Sequence, residues 1–195
     1  QTGNSTAPAE RKAPAKKKPA SLWERTRTDD LHPYGGGNPL VKEFVEQARK
    51  GGGCWDKYAA AWCRKHLRER FPEMKFSVRS GGAGYLMNMD IEILSGPYPM
   101  TIKKGNPEAP DFLEQWDRQV PGPQLKAVLN YCKALHDSFD ADDGDHYADY
   151  GAHHDLYGDA KIAYNYTATE PTPEQLAEMA AFEQAKAEDE ARKRA

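Results

Sequence analysis

The densest concentration of residues that could do chemistry lies between positions 136 and 159. This segment holds eight Asp and four of the six His in the chain, and it contains no Lys or Arg. Imidazole and carboxylate groups are ligands that zinc, manganese or iron accept. A metal-dependent enzyme is therefore one hypothesis, although the segment contains neither an EF-hand loop nor a His-Glu-x-x-His helix. The candidate metal ligands are His146, Asp149, His153, His154 and Asp155.

The same segment supports a second hypothesis, in which its carboxylates bind a basic partner. A run of Asp without counter-charges presents a negative surface like that of a nucleic-acid backbone, and charge complementarity can direct such a surface to a protein. A solvated acidic loop beside a basic patch of the same chain is the simpler alternative, and it stays open. The residues that would face a partner are Asp140, Asp142, Asp143 and Asp145.

Cations concentrate in the other half of the chain. Residues 1–80 carry 17 Lys and Arg against 9 Asp and Glu, a net charge of +8. Residues 81–195 carry 10 against 21, a net charge of −11. A basic half indicates a surface for anions, of which nucleic acid is the first candidate. The candidate nucleic-acid-binding residues are Lys16, Lys17, Lys18, Lys57, Arg64, Lys65, Arg68 and Arg79.

A glycine-rich turn follows Arg79 at residues 81–84. Glycines allow backbone N–H groups to approach an anion, and an arginine beside them could add a bidentate contact. The turn is not a P-loop, because the Gly-Lys-Ser/Thr ending is absent and a strand rather than a helix is predicted to follow. A plain hairpin turn is the open alternative.

The number of cysteines and the hydropathy of the chain indicate in which cellular compartment the protein works. Cys54, Cys63 and Cys132 show neither zinc-like pairing nor the even number of a disulfide framework, which favours a reducing, cytoplasmic setting. Cys63 and Cys132 lie on apolar helix stripes and are predicted to be in the core. No stretch approaches the roughly 20 apolar residues that span a bilayer, so we expect no membrane contact.

Hydrophobic periodicity predicts the elements that position these residues. Helical spacing of apolar residues predicts helices over 39–50, 54–71 and 122–136. Strict alternation predicts strands over 75–80, 85–94 and 161–166. A capping box of Thr172, Pro173 and Gln175 opens a predicted C-terminal helix. Residues 97–121 are predicted to be an irregular connection, with a short helix near Phe112 and Trp116.

The order of these elements predicts the architecture. We expect an α+β fold with a three-stranded antiparallel sheet and helices packed on one face, in the order helix-strand-strand-helix-strand, plus flanking N- and C-terminal helices. Residues 1–30 are predicted to be a disordered basic arm, because their first 20 positions are mostly small or charged. The α+β domain then spans 31–168, with its core at about 54–166. Residues 169–195 form a charged helix that is exposed or docks on a partner.

The ten residues from Phe71 to Ser80 read Phe-Pro-Glu-Met-Lys-Phe-Ser-Val-Arg-Ser, and a glycine-rich turn and an alternating strand follow them. Over about 54–166, this arrangement resembles the large polyvalent protein-associated domains, small α+β domains of phage and mobile-element proteins. This chain has Ser95-Gly96-Pro97 where the family has Asp-Gly-Pro. The resemblance implies a mobile-element setting, and it carries no catalytic residue over to this chain.

Three functions follow from these features. The favoured one is a non-enzymatic accessory protein of a phage or mobile element that binds nucleic acid through a basic helix and the basic arm. The alternative is a protein-interaction factor, acting as an inhibitor, a nucleic-acid mimic or a structural component through the acidic loop 137–159 and the C-terminal helix. The third is the metal-dependent enzyme. No cofactor is predicted, and the expected partner is nucleic acid or a host or phage protein.

Overall fold

The computed structural model describes residues 20–31, 38–81, 87–111, 114–139 and 156–194. Its helices are α1 (Leu22–Arg25), α2 (Leu40–Gly51), α3 (Asp56–Arg70), α4 (Pro123–Phe139) and α5 (Pro173–Arg194). Its strands are β1 (Lys75–Ser80), β2 (Met87–Gly96), β3 (Met100–Lys103), β4 (Arg118–Pro121), β5 (Leu156–Tyr157) and β6 (Ala160–Ala168). The predicted α+β class is confirmed. Among these helices, none combines the length and apolar composition that crossing a bilayer requires.

Strand β2 is the centre of a mixed sheet. On one side β1 pairs with it antiparallel, with Ser80 opposite Met89. On the other side β6 pairs with it in parallel, with Ile91 opposite Ala160, and the two-residue β5 precedes β6 along β2. Gly158 joins β5 to β6 with a φ of +118°, and a Cβ there would lie 2.2 Å from the Met89 carbonyl oxygen. Glycine is required at this close approach.

The prediction of an antiparallel sheet is correct for β1 and β2 and wrong for β6. Helix α4 lies between β2 and β6 in the chain and packs against both strands. A helical crossover returns the chain to the end at which the first strand began, so the next strand runs parallel to it. The predicted irregular connection 97–121 contains a two-stranded antiparallel ribbon, β3 and β4, which the sequence did not indicate. Phe112 lies outside the described residues.

Helices α3 and α4 pack on one face of the sheet, as predicted. The buried apolar residues on the inward face of β1 and β2 include Val78, Met89, Ile91 and Ile93. Burying each such side chain stabilises the fold by roughly 1.5–3 kcal/mol. Cys63 and Cys132 lie in this core as free thiols, and burial raises the pKa of both. Their predicted core role is confirmed.

A largely buried ion-pair cluster joins α1 to the segment after α3 and to α5. The Nη1 of Arg25 donates to both carboxylate oxygens of Glu73 at 2.8 and 3.0 Å, and its Nη2 donates to Glu178 at 2.9 and 3.1 Å. The Tyr98 hydroxyl donates to Oε1 of Glu73 at 2.7 Å. Residues 22–25, which fall within the predicted arm, therefore form a helix that is fixed to the core. Residues 1–19 lie outside the described residues.

Helix α5 begins at the predicted capping box. The Thr172 N–H donates to Oε1 of Gln175 at 2.8 Å, and the Gln175 N–H donates to Oγ1 of Thr172 at 3.3 Å. Phe182 is buried, and its ring packs edge-on against Trp23 with centroids 5.6 Å apart. The first half of α5 thus docks on its own chain, through an aromatic contact and the Arg25 cluster.

Candidate nucleic-acid interface

Helix α3 presents its cations along one solvent-exposed side. Its opposite side is buried against the sheet and α2, and its aromatic residues contact α4. Because an α-helix has 3.6 residues per turn, positions 57, 61, 64, 65 and 68 share a side. All five are exposed, and four of them are Lys57, Arg64, Lys65 and Arg68. From the first to the last of them the helix rises about 16 Å, which equals about five base-pair steps of duplex DNA.

Arg64 is held at the edge of the sheet. Its Nε donates to the Val78 carbonyl oxygen at 2.8 Å, so the guanidinium lies beside the outer side of β1. The described residues provide no acceptor for its two Nη groups. A guanidinium that is already oriented loses less side-chain entropy when it binds an anion than a freely rotating one does.

Lys65 and Arg68 differ from the next arginine along the helix. Arg70 pairs with Asp30 at 3.0 Å, whereas no carboxylate in the described ranges forms an ion pair with Lys65 or Arg68. Arg68 lies in the last turn of α3, where a cation also interacts favourably with the helix dipole. The Arg68 side chain is exposed to solvent.

Lys57 is already engaged at the start of α3. Its Nζ donates to the Gly52 carbonyl oxygen at 2.8 Å and lies 5.0 Å from the centre of the Tyr58 ring. This lysine therefore closes the loop that precedes the helix.

Arg79 is engaged on the outer face of the sheet. It forms an ion pair and a hydrogen bond with Glu92 of β2, and Lys161 of β6 approaches the same carboxylate at 3.5 Å. The hydrogen bond from Arg79 is the main reason that the pKa of Glu92 is lowered. One carboxylate is thus shared by cations from both neighbouring strands, and Arg79 is partly neutralised.

The other flank of α3 is closed by aromatic packing. His66 lies with its Nε2 2.7 Å from the Tyr131 hydroxyl oxygen, and its ring stacks on Trp62 with centroids 4.5 Å apart. The guanidinium of Arg70 lies 4.3 Å from the centre of the Tyr131 ring. Burial, followed by the charge of Arg70, lowers the pKa of His66. This side of α3 holds the fold together through its contacts with α4.

Comparisons of the chain with protein-family models, with curated proteins and with solved structures gave no match. The resemblance to the polyvalent-protein domains stays a prediction.

The structure brings together some of the predicted site residues. It places Arg64, Lys65 and Arg68 on one exposed side of α3, which we call the α3 cationic face. Several predicted residues lie outside the described residues: Lys16, Lys17 and Lys18 of the arm, the acidic positions Asp140, Asp142, Asp143 and Asp145, and the metal candidates His146, Asp149, His153, His154 and Asp155. Within the described ranges, no group of three or more His, Cys, Asp or Glu is arranged to hold a metal.

Sequence reasoning missed two features of this surface. The first is the neutralisation of Arg79 by Glu92, because alternation places both on the outer face but does not give the strand register. The second is the outer edge of β1, to which Arg64 is anchored. The sequence signal for this contact was a predicted strand over 75–80 that directly follows the basic helix.

Proposed function

We propose that this protein is a non-enzymatic accessory protein that binds nucleic acid through the α3 cationic face. One observation carries the proposal: Arg64, Lys65 and Arg68 are exposed on one side of one helix, and no described carboxylate forms an ion pair with the last two. The fold holds these cations within about two helical turns. Such a cluster attracts a polyanion more strongly than the same charges spread over the surface would.

Binding through this face depends on phosphates rather than on base identity. Each Lys or Arg that neutralises a phosphate releases condensed counterions, so the logarithm of the binding constant falls with the logarithm of salt concentration. The slope is about 0.9 per contact on duplex DNA. Three contacts therefore predict a contribution of about 2–3 to the slope. The exposed side of α3 carries no aromatic residue, which favours contact with a duplex backbone over stacking on single-stranded bases.

We also propose where this protein acts: it is a cytoplasmic protein of a phage or mobile element. The resemblance to the polyvalent-protein domains supports a phage or mobile-element protein. The free thiols of Cys63 and Cys132 support a cytoplasmic location. Lys16, Lys17 and Lys18 supply further cations that can add phosphate contacts when a long nucleic acid binds.

The test is fluorescence anisotropy with labelled duplex DNA across a salt series. A variant of the α3 cationic face replaces all three cations by Gln, which keeps helix propensity. The matched control makes the same replacements of two Arg and one Lys at the exposed end of α5. The variants are Arg64→Gln/Lys65→Gln/Arg68→Gln and Arg192→Gln/Lys193→Gln/Arg194→Gln.

The α3 variant should lose affinity and about 2–3 units of salt slope, because its phosphate contacts are gone. The control should keep most of both, since its Lys193 and Arg194 are already paired with carboxylates one turn earlier. Equal losses of affinity in the two variants would show that binding follows net charge alone. Unchanged affinity and salt slope in the α3 variant would show that this face does not bind DNA.

A further inference from the structure

Strand β1 is an edge strand among the strands that the structure describes, because it pairs with β2 alone. Phe76 and Ser80 of this strand are partly exposed, whereas Val78 is buried. The hydrogen bond from the Gly81 N–H to the Asn88 carbonyl, 3.1 Å long, fixes which residues bond to β2. Because bonded and non-bonded pairs alternate along an antiparallel ladder, three residues direct their backbone groups outward. They are Phe76, Val78 and Ser80.

One of these outward groups has a partner in the described part of the chain. It is the Val78 carbonyl oxygen, which accepts the bond from Arg64. The other N–H and C=O groups of the row face away from β2 over a length of about 14 Å. A row of unpaired backbone groups is a template on which an extended segment of another protein can add as a strand.

One residue of the α3 cationic face, Arg64, contacts the outer edge of β1. Arg64 lies beside Val78, and α3 leads into β1 through a short turn, so helix and strand run in opposite directions. Arg68 follows Arg64 by about 6 Å along the helix. Alternate residues of a strand, which point to the same side, are about 6.8 Å apart. Two carboxylates at i and i+2 of an added strand thus match the spacing of the two arginines.

We propose that the outer edge of β1 binds an extended acidic segment of a partner protein. The segment adds to β1 as a strand, and its backbone bonds to the outward groups of Phe76, Val78 and Ser80. Its carboxylates, two residues apart, pair with Arg64 and Arg68. The backbone bonds supply affinity, and the two carboxylates select the partner.

Arg64 explains why the partner is acidic. An added strand needs the Val78 carbonyl, so the Arg64 guanidinium must leave it. A neutral strand leaves the guanidinium without that hydrogen bond, whereas a carboxylate replaces it with a stronger, charge-assisted one. Arg64 therefore disfavours the addition of a neutral strand to the edge and favours the addition of an acidic one. This inference goes beyond nucleic-acid binding, and the two ligands compete because they share Arg64 and Arg68.

The experiment uses the full chain and a fluorescent heptapeptide, Thr-Asp-Val-Asp-Val-Asp-Thr, whose binding is measured by anisotropy. Two further peptides carry N-methyl groups, one on all three Asp and the other on both Val. In an added strand alternate residues bond to the edge, so one set of N–H groups is essential and the other points away. We expect one N-methylated peptide to lose affinity by about tenfold or more and the other to bind like its parent.

Two controls separate the side-chain term from the backbone term. A peptide with Asn in place of each Asp should bind more weakly, and so should the parent peptide to the Arg64→Gln/Arg68→Gln variant. The Arg192→Gln/Arg194→Gln variant should bind the parent peptide normally. The proposal is overturned if the parent peptide does not bind, or if both N-methylated peptides bind like it, since contact is then ionic without strand addition. DNA binding by the same preparation is measured separately, so either proposal can fail alone.

Discussion

The arginine of α1 and the cations of α3 use the same kind of charge in opposite ways. The Arg25 side chain is 12% exposed and lies between Glu73 and Glu178. Burial lowers its pKa, but the hydrogen bonds and the negative charges of the two carboxylates together outweigh burial and raise the pKa overall. Lys65 and Arg68 are exposed and have no such partner in the described ranges. The net charge of +8 in residues 1–80 therefore combines structural cations with cations that are available to a ligand.

Removing the structural cation is the strongest test of this difference. Arg25→Met should destabilise the protein by about 3–5 kcal/mol, because it leaves two largely buried carboxylates without a counter-charge. Arg68→Met is the matched control, and it should stay within about 0.5 kcal/mol of the parent. Urea unfolding followed by circular dichroism measures both. Equal effects of the two substitutions would show that the two environments do not differ in energy.

The comparison can also be tested by freeing Arg79, a cation that is neutralised in the folded protein. Glu92→Gln frees Arg79 from its ion pair, so we expect DNA affinity to rise several-fold and the salt slope to grow by about 1. Asp90→Asn removes one carboxylate from the same outer face, and no ion pair of Asp90 is present among the described residues. Anisotropy titrations of both variants at two or more salt concentrations distinguish the effects. A similar rise in both would reduce the result to net charge.

The two flanks of α3 should also differ in their response to pH, with the smallest effect of the three. His66 has a lowered pKa in the folded protein, so the unfolded chain binds more protons once the pH falls below about 6.5. The stability from neutral His66 is fully present above that pH and is lost as the pH falls through the lowered value. His66→Gln should flatten this part of the curve, and unfolding in urea between pH 7.5 and 5 measures it. Parallel curves for parent and variant would contradict the expectation.

Much of the local structure could be predicted because side-chain period is a local property. Alternation along residues 85–94 places Met89, Ile91 and Ile93 inward, and all three are buried. The apolar spacing of α3 likewise separates its buried side from the side that carries Arg64 and Arg68. These patterns depend only on 3.6 or 2 residues per repeat.

Long-range features could not be predicted in the same way. The direction of β6 depends on the path of α4, and the pairing of Arg79 with Glu92 depends on strand register. Neither the strand direction nor this pairing changes the spacing of apolar residues along the sequence, so the sequence pattern does not indicate them. The ribbon β3–β4 was also missed, since Pro99, Pro107 and Pro110 indicate loops and its strands are only four residues long.

The parallel pairing of β6 with β2 has a consequence for how the chain folds. The β1–β2 hairpin joins neighbouring residues, such as Ser80 and Met89, whereas β6 brings Ala160 to Ile91 across a long loop that must close first. We therefore expect the hairpin and α3 to be formed in the transition state and β6 to dock late. Ile162→Val should then accelerate unfolding and leave the refolding rate nearly unchanged in stopped-flow experiments. Until β6 docks, β2 has a second open edge, so refolding at high protein concentration should lose yield to aggregation.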